Sequence, residues 1–454
     1  MTVTDPRPKV LAGWGRTSPT RALVERPETV EDICRLLKTP RQRVIARGLG
    51  RSYGDAAQCA GGTVVDTTGL ASIGPIDARS GTIEVGGGAS LSDVLRRTLL
   101  AGWFVRAVPG TSQVTIGGAI AADVHGKNHH GDGAFCSHVS TMTLATPTGP
   151  RVVGPGQDSA LFWATAGGMG LTGIVTTATL ELLRVETPWM LVDTERFGAL
   201  DDLMDAMAGS DEAYRYSVAW LDLLAPGAKL GRSVLTRGDH APCDALPSTL
   251  RAGRAGGRPS RTLRVPTLAG YGRLAPQVVR AFNATRYRRA PRCEVGALEP
   301  WPAFFHPLDR LGNWNLLYGR RGFVQYQFVV GPSEAEVVHQ AVAMTSAYRV
   351  PCFLAVLKRM GGSDPGPLSF PMSGWTLALD FPIGPPGLPA LLDRLDELVA
   401  AAGGRVYLAK DSRLRPDLVP IMYPRLGELS DVRDDVDPDR VLRSDLSRRL
   451  GLDG

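Results

Sequence analysis

The sequence predicts an α+β protein built in two lobes. Three observations point there. The chain has 454 residues, beyond the size at which one hydrophobic core usually keeps growing. Its 53 glycines and 34 prolines imply many turns and close backbone approaches, not a helical bundle. Over residues 1–185, short strand-like runs alternate with short helical ones and are interrupted by two glycine-rich stretches.

Taken in order, Val30, Ile33, Cys34 and Leu37 follow helical spacing, with Pro27 and Glu28 marking the start. A strand is expected at 43–46, then the run GLGRSYGD, then short strands at 63–66 and 82–85. Ser90 and Asp93 make a capping-box-like start to a helix whose Leu91, Val94, Leu95, Thr98 and Leu99 share one face, with Gly102 closing it. A second glycine-rich stretch occupies 110–133, followed by a strand at 140–145 and the segment FWATAGGMGLTGIVTTATLEL. Near Thr187 the glycine-dense pattern gives way to longer elements. The segment 251–264 is basic, glycine-rich and aperiodic, so a mobile loop is expected there. Residues 323–330 and 375–381 alternate in a way that suits strands of a sheet buried on one face. A last long helix aligns Leu391, Leu395, Leu398 and Val399, ends at Gly403 and Gly404, and feeds a strand RVYLA that delivers Lys410 and Asp411.

The net charge of +6 comes from dispersed arginines, which argues against a nucleic-acid partner. The six cysteines are widely spaced without a C-x-x-C pair, so neither zinc nor a redox dithiol is expected. Residues 1–14 lack the apolar core of a signal peptide, and no apolar stretch reaches membrane-spanning length. A cytoplasmic or peripherally membrane-associated protein is expected.

The run GLGRSYG superficially suggests a dinucleotide fold, but the next regular element is a strand where that fingerprint needs a helix. About sixty residues on stands a second cluster, Thr115, Ile116, Gly117, Gly118 and Ala119, preceded by Pro109, Gly110 and Thr111. Two such loops can bring backbone N–H groups to a pyrophosphate from two sides, and the pair is far more specific than either part. His125 and His129 are four apart, but Gly126 and Asn128 disfavour a helix and no carboxylate ligand is near, so no metal is expected. Gln325 and Gln327 alternate on a strand and face one side, either toward the hydroxyls of a bound ligand or toward solvent.

With GMGLTGI at 168–174 and DPDRVLRSD at 437–445, these loops resemble the PCMH-type FAD-binding domain of the vanillyl-alcohol-oxidase family. More narrowly, GWGRT, ARGLGRSYGD, VTIGGAIAADVHGKNHH, FHPLD, QYQFV and YLAKDSR are similar to the oxidases of polyprenylphosphoryl ribose, the flavoprotein half of a mycobacterial epimerase. The resemblance implies a two-subdomain FAD-binding domain at 1–185, a cap domain on an antiparallel sheet at 186–404, and a segment at 405–454 that returns to the first. It implies that Ala46, Arg47, Gly48, Leu49, Gly50, Arg51, Ser52, Tyr53, Gly54, Asp55 and Ala56 wrap the FAD pyrophosphate. Gly110, Thr115, Ile116, Gly117, Gly118, Ala122, Asp123, Val124, His125, Ile174 and Tyr407 complete the cofactor set. Where many relatives attach flavin through a histidine in the first loop, this chain has Arg51, Ser52 and Tyr53, so FAD is expected to be non-covalent.

The same resemblance makes Lys410 the leading catalytic candidate, a cation beside flavin and the reacting hydroxyl. On pattern alone it reads as a solvated strand-end lysine. His125 is the second candidate, as a proton acceptor or as a ring that packs on flavin. Tyr53, Lys127, Gln325, Gln327, Lys358, Ala378 and Lys410 are the implied substrate contacts; by pattern alone Tyr53, Lys127 and Lys358 are equally surface residues. Thr376 and Ala378 depart from the mycobacterial relatives, which carry asparagine and cysteine there, and this bears on the substrate. The implied reaction oxidises the 2′-hydroxyl of a lipid-linked ribofuranose phosphate to a keto sugar. A separate NAD(P)H-dependent short-chain reductase would complete an epimerisation. A soluble alditol, aldonolactone or natural-product sugar oxidase, and a flavin-binding scaffold without turnover, are the other readings. The basic segment 251–264 is a candidate contact with anionic lipid.

Overall fold

The computed structural model describes residues 7–38, 43–251, 263–264 and 275–453. The basic segment expected to be a loop therefore lies, at 252–262, outside the described residues. In the first sheet the antiparallel pair Lys9–Leu11 and Thr20–Glu25 joins Thr63–Asp66 and Val44–Arg47 by parallel pairing. The sequence reading missed the two opening strands, which bury only Ala22 and so lack an apolar stripe. The helix Val30–Leu37 starts at Thr29, whose hydroxyl accepts from Asp32 N at 3.1 Å, one step beyond the expected Pro27 and Glu28. It buries Ile33 and Leu37.

The second sheet runs Ile73–Asp77, Thr82–Gly86, Ile174–Arg184, Val139–Thr146 and Gly149–Val153, with Trp103–Val105 paired to Ile174–Arg184. The helix Leu91–Leu99 is capped by Ser90 as its sequence predicts and buries Leu91, Val94, Leu95 and Thr98 against this sheet's core.

The third sheet has eight strands in the order Cys293–Pro300, Trp189–Phe197, Ser233–His240, Tyr216–Leu221, Leu354–Met360, Gly374–Pro382, Phe323–Val330 and Arg405–Val406. Every pairing in it is antiparallel. Here one expectation is corrected: Phe323–Val330 is buried at every position, not on one face. Val324, Tyr326, Phe328 and Val330 join the core with Leu391 and Leu395 of the helix Leu388–Ala401, while the opposite face, with Gln325 and Gln327, closes over the cavity described below. A second correction concerns RVYLA. Pairing extends only over Arg405–Val406, and a turn closed by Lys410 N donating to Tyr407 O at 2.9 Å presents Lys410.

Past that turn the chain comes back to the first sheet. Leu442 bridges Val44, and Val44 N donates to Val441 O while Arg443 N donates to Val44 O, both at 2.9 Å. The helix Asp445–Leu450 begins in a Ser444/Ser447 capping box. Its Arg449 grips Asp55 through two nitrogens at 2.8 and 3.0 Å and lies 2.8 Å from Asp411. This half-buried pair fastens the C-terminal segment to the first glycine loop. Arg449→Ala should cost about 2 kcal/mol, between the values for exposed and for buried pairs, read as a lower urea midpoint with unchanged m-value. An unchanged midpoint would mean that the pair is only a surface contact.

Candidate functional site

A cavity of about 570 Å³ runs between the glycine loops and the eight-stranded sheet, a size usual for cofactor and small-molecule sites. Its sheet wall follows from strand register. Gln327 pairs with Ala378, Ala378 with Val356, Val356 with Trp220, and Trp220 with Val234. Because side chains alternate along a strand, this single row points to one face across five strands, and all five residues line the cavity. The neighbouring rows add Gln325, Asp380 and Leu354 on one side and Thr376 with Lys358 on the other.

On the other wall the two loops touch. A Cβ at Gly48 would lie 2.1 Å from the Thr115 hydroxyl, and one at Gly54 would lie 2.0 Å from the Asp411 carbonyl, so only glycine allows these approaches. Among the described residues, the main-chain N–H groups of Gly48, Leu49, Gly50, Arg51 and Ser52 have no hydrogen-bond acceptor. All five residues line the cavity. A run of free amide donors is the chemistry a pyrophosphate needs, and these residues fit one. Arg51 stacks its guanidinium over Trp14 at 3.8 Å, which places a cation at the loop's edge.

Of the expected cofactor residues, Ala46, Gly48, Leu49, Gly50, Arg51, Ser52, Tyr53, Ala56, Gly110, Thr115, Gly117, Gly118, Ala122, Val124, His125, Ile174 and Tyr407 line the cavity. Arg47, Gly54, Asp55, Ile116 and Asp123 stand behind its wall. Arg47 braces the loop through Ala12 O and Ala57 O at 2.8 and 3.0 Å. Ile116 is a core residue, and Asp123 accepts from Cys136 N and from the Ser369 hydroxyl. Every expected substrate residue, Tyr53, Lys127, Gln325, Gln327, Lys358, Ala378 and Lys410, reaches the cavity.

The sequence reading did not single out Asp380, although it shares a face with Ala378 two residues earlier. It accepts from Gln325 Nε2 at 2.5 Å and from the Tyr318 hydroxyl at 3.2 Å. The role of Asp309 in FHPLD was missed as well. Its carboxylate takes the Thr111 hydroxyl at 2.6 Å and both Ser112 donors at 2.8 Å, which ties the 109–112 loop to the turn Pro307–Arg310.

At the heart of the cavity His125 is held from both sides, with Lys358 Nζ 2.9 Å from Nδ1 and Gln327 Nε2 2.9 Å from Nε2. Lys410 Nζ sits 3.9 Å above the Tyr53 ring. Lys127 donates to Phe304 O and lies over the Phe304 ring. Burial is the first cause of the unusual acidities of these groups. It lowers Lys410 to about 8, partly offset by Asp380. It lowers Lys358 to about 7, with Lys410 and Lys127 pushing the same way, and Lys127 to about 7 against the pull of Glu299. It raises Asp380 to about 6 and drives His125 well below its ordinary value. No group of metal-ligating side chains is present among the described residues.

Residues 21–153 match the family model described as an FAD binding domain. The chain is 41% identical over 451 residues, 98% of each chain, to decaprenylphosphoryl-β-D-ribose oxidase of Mycolicibacterium smegmatis. The chain belongs to this family. An uncharacterised protein of Streptomyces coelicolor is 43% identical over 359 residues, 77% of this chain and 96% of that one. An alditol oxidase of a Streptomyces species is 24% identical over 175 residues, 38% of this chain and 41% of that one. The family's cofactor is FAD, and the unpaired loop amides and glycine contacts are the local features that suit it.

The buried lysines set the sign of one pH effect. Unfolded lysines titrate near pH ~10.4, so between about pH 7 and 10 the folded chain binds fewer protons than the unfolded one and stability rises with pH. Lys358→Met removes one such group. The thermal midpoint of this variant should therefore rise less steeply than that of the parent between about pH 7 and 9. Parallel curves would show that Lys358 keeps an ordinary affinity for its proton.

Proposed function

We propose that this protein oxidises the 2′-hydroxyl of a polyprenylphosphoryl-β-D-ribofuranose to the 2′-keto sugar with FAD as oxidant. The observation that carries the reading is the convergence on one cavity of Gln325, Gln327 and Lys358 from the sheet and Lys410 from the turn beside the first glycine loop. Bound FAD supplies the hydride acceptor. Lys410 offers a positive charge to the oxygen that loses its proton. The amide N–H groups of Gln325 and Gln327 are engaged by Asp380, His125 and Thr376, which leaves their carbonyl oxygens to accept sugar hydroxyls. Lys127, which lines the cavity with Arg286, is suited to the substrate phosphate.

The division into residues 1–185, 186–404 and 405–454 assigns cofactor binding to the first and last parts and the sugar wall to the middle one. FAD is held without a covalent bond. Among the described residues lining the cavity, His125 is the one histidine, its ring nitrogens are both engaged, and there is no cysteine. The product is a ketone, so an NAD(P)H-dependent short-chain reductase returning hydride to the opposite face would complete an epimerisation that serves cell-wall arabinan synthesis. Among the described residues no helix is long and apolar enough to cross a membrane, so a lipid-linked substrate would be met by peripheral contact.

The test is anaerobic flavin bleaching with farnesylphosphoryl-β-D-ribofuranose beside xylitol and gulonolactone. The expected result is bleaching by the lipid-linked ribose alone. Bleaching by only the polyol or lactone would move the protein to the alditol-type oxidases, and no bleaching by any would leave a flavin-binding scaffold. Lys410→Ala should keep its flavin and lose roughly 100-fold or more in flavin reduction, the scale seen when one charge-stabilising donor is removed. Full turnover in that variant would overturn the assignment of Lys410.

A further inference from the structure

The buried chain of contacts behind the cavity wall fixes more than the positions of its members. Thr376 Oγ1 lies 2.8 Å from the Phe328 carbonyl, 3.1 Å from Gln327 Nε2, and is wholly buried. A hydroxyl has one proton to give. The Phe328 carbonyl takes it, so what Thr376 offers Gln327 is a lone pair, and the Gln327 atom facing it must be a donor. An amide orientation is decided by this kind of partner, not by the shape of the side chain. The same Gln327 nitrogen lies 2.9 Å from His125 Nε2. With one N–H on Thr376 and the other on His125, Nε2 of the imidazole is an acceptor. A neutral imidazole then carries its proton on Nδ1, and Nδ1 is 2.9 Å from Lys358 Nζ. The remaining amine protons can reach Gly126 O, 3.4 Å away.

We propose that Thr376 is a positioning residue: by accepting one N–H of Gln327 while donating to Phe328, it orients the Gln327 amide and thereby places the His125 ring proton on Nδ1, directed at Lys358 as acceptor.

Two consequences follow for the site. His125 has no free nitrogen, so it does not take the substrate proton directly; it holds Lys358 in the amine form. The opposite state, a Lys358 ammonium donating to Nδ1, would need the proton on Nε2 and the Gln327 amide turned, which would set its oxygen against the Thr376 lone pairs. The positive charge is thus kept on Lys410. The surrounding charges agree: Lys410 and Lys127 face Lys358, His129 and Lys410 face His125, and the nearby carboxylate, Asp380, sits across from Lys410. Burial and these cations lower both His125 and Lys358, as two neutral partners require.

The inference rests on the same cavity as the proposed function but not on the identity of the sugar, so its test uses the flavin-loaded protein without substrate. Histidine-labelled protein is read by long-range ¹H–¹⁵N correlation, with the His125 ring assigned by its loss in His125→Asn. The wild-type ring should show a protonated Nδ1 and a bare Nε2, Thr376→Ser should keep that pattern, and Thr376→Val should lose it in favour of Nε2–H or a mixture. A wild-type ring protonated on Nε2 overturns the proposal, as does an unchanged pattern in a folded Thr376→Val. If the valine variant does not fold, Thr376→Ala, which removes the hydroxyl without adding a branch, is read in its place with the same expected loss of the Nδ1–H pattern, and an unchanged pattern there overturns the proposal. Failure of the proposed substrate would appear only in the bleaching assay and leave these spectra untouched.

Discussion

The register of the eight-stranded sheet is the constraint on which the rest of the site depends. Gln325, Gln327, Lys358, Thr376, Ala378 and Asp380 come from three successive strands, and their antiparallel pairing places all of them on one face. A slip of one residue would carry the whole set to the opposite face, into the helix-covered core. That core holds the register: Phe328, Leu377, Leu379 and Leu357 are fully buried beneath the site. The apolar half of each strand therefore fixes where the polar half points.

The chain's return supplies the second condition. Lys410 reaches the cavity from a turn whose first residue, Tyr407, donates its N–H to Gln327 O and its hydroxyl to Ala122 O at 2.7 Å. Asp411, directly after it, lies against Gly54 and Arg449. The cation proposed to act on the substrate is thus positioned by contacts to the glycine loops and to the sheet at once. Burying several amines in one cavity is costly, and their lowered proton affinity is the physical expression of that cost.

Much of this was legible in the sequence, for identifiable reasons. The helices at Val30 and Leu91 announce themselves by apolar spacing, and the two glycine loops by composition. Lys410 and the glutamines came from short motifs whose resemblance outweighed a plain reading as surface residues. What stayed hidden depends on pairing between distant segments. The strand at 323–330 looks one-sided because glutamines alternate in it, and only the fold reveals that its polar face meets a cavity, not water. Arg47, Gly54, Asp55, Ile116 and Asp123 sit inside the recognised motifs but act behind the wall, since a motif does not distinguish the residues that touch a ligand from those that brace the loop. Asp380 and Asp309 carry no local signal; each gains its partners from elements at least 50 residues away in the chain. The role of Thr376 follows from hydrogen-bond donors and acceptors counted one by one.

The proposed oxidation requires hydride to leave C2′ of a lipid-linked ribose inside this cavity. Stopped-flow reduction of the bound flavin by farnesylphosphoryl ribose deuterated at C2′ tests it most directly. Reduction should be slower than with the unlabelled compound and unchanged when deuterium is placed at C3′ instead. An isotope effect confined to C3′, or none at either carbon in the chemical step, would contradict it.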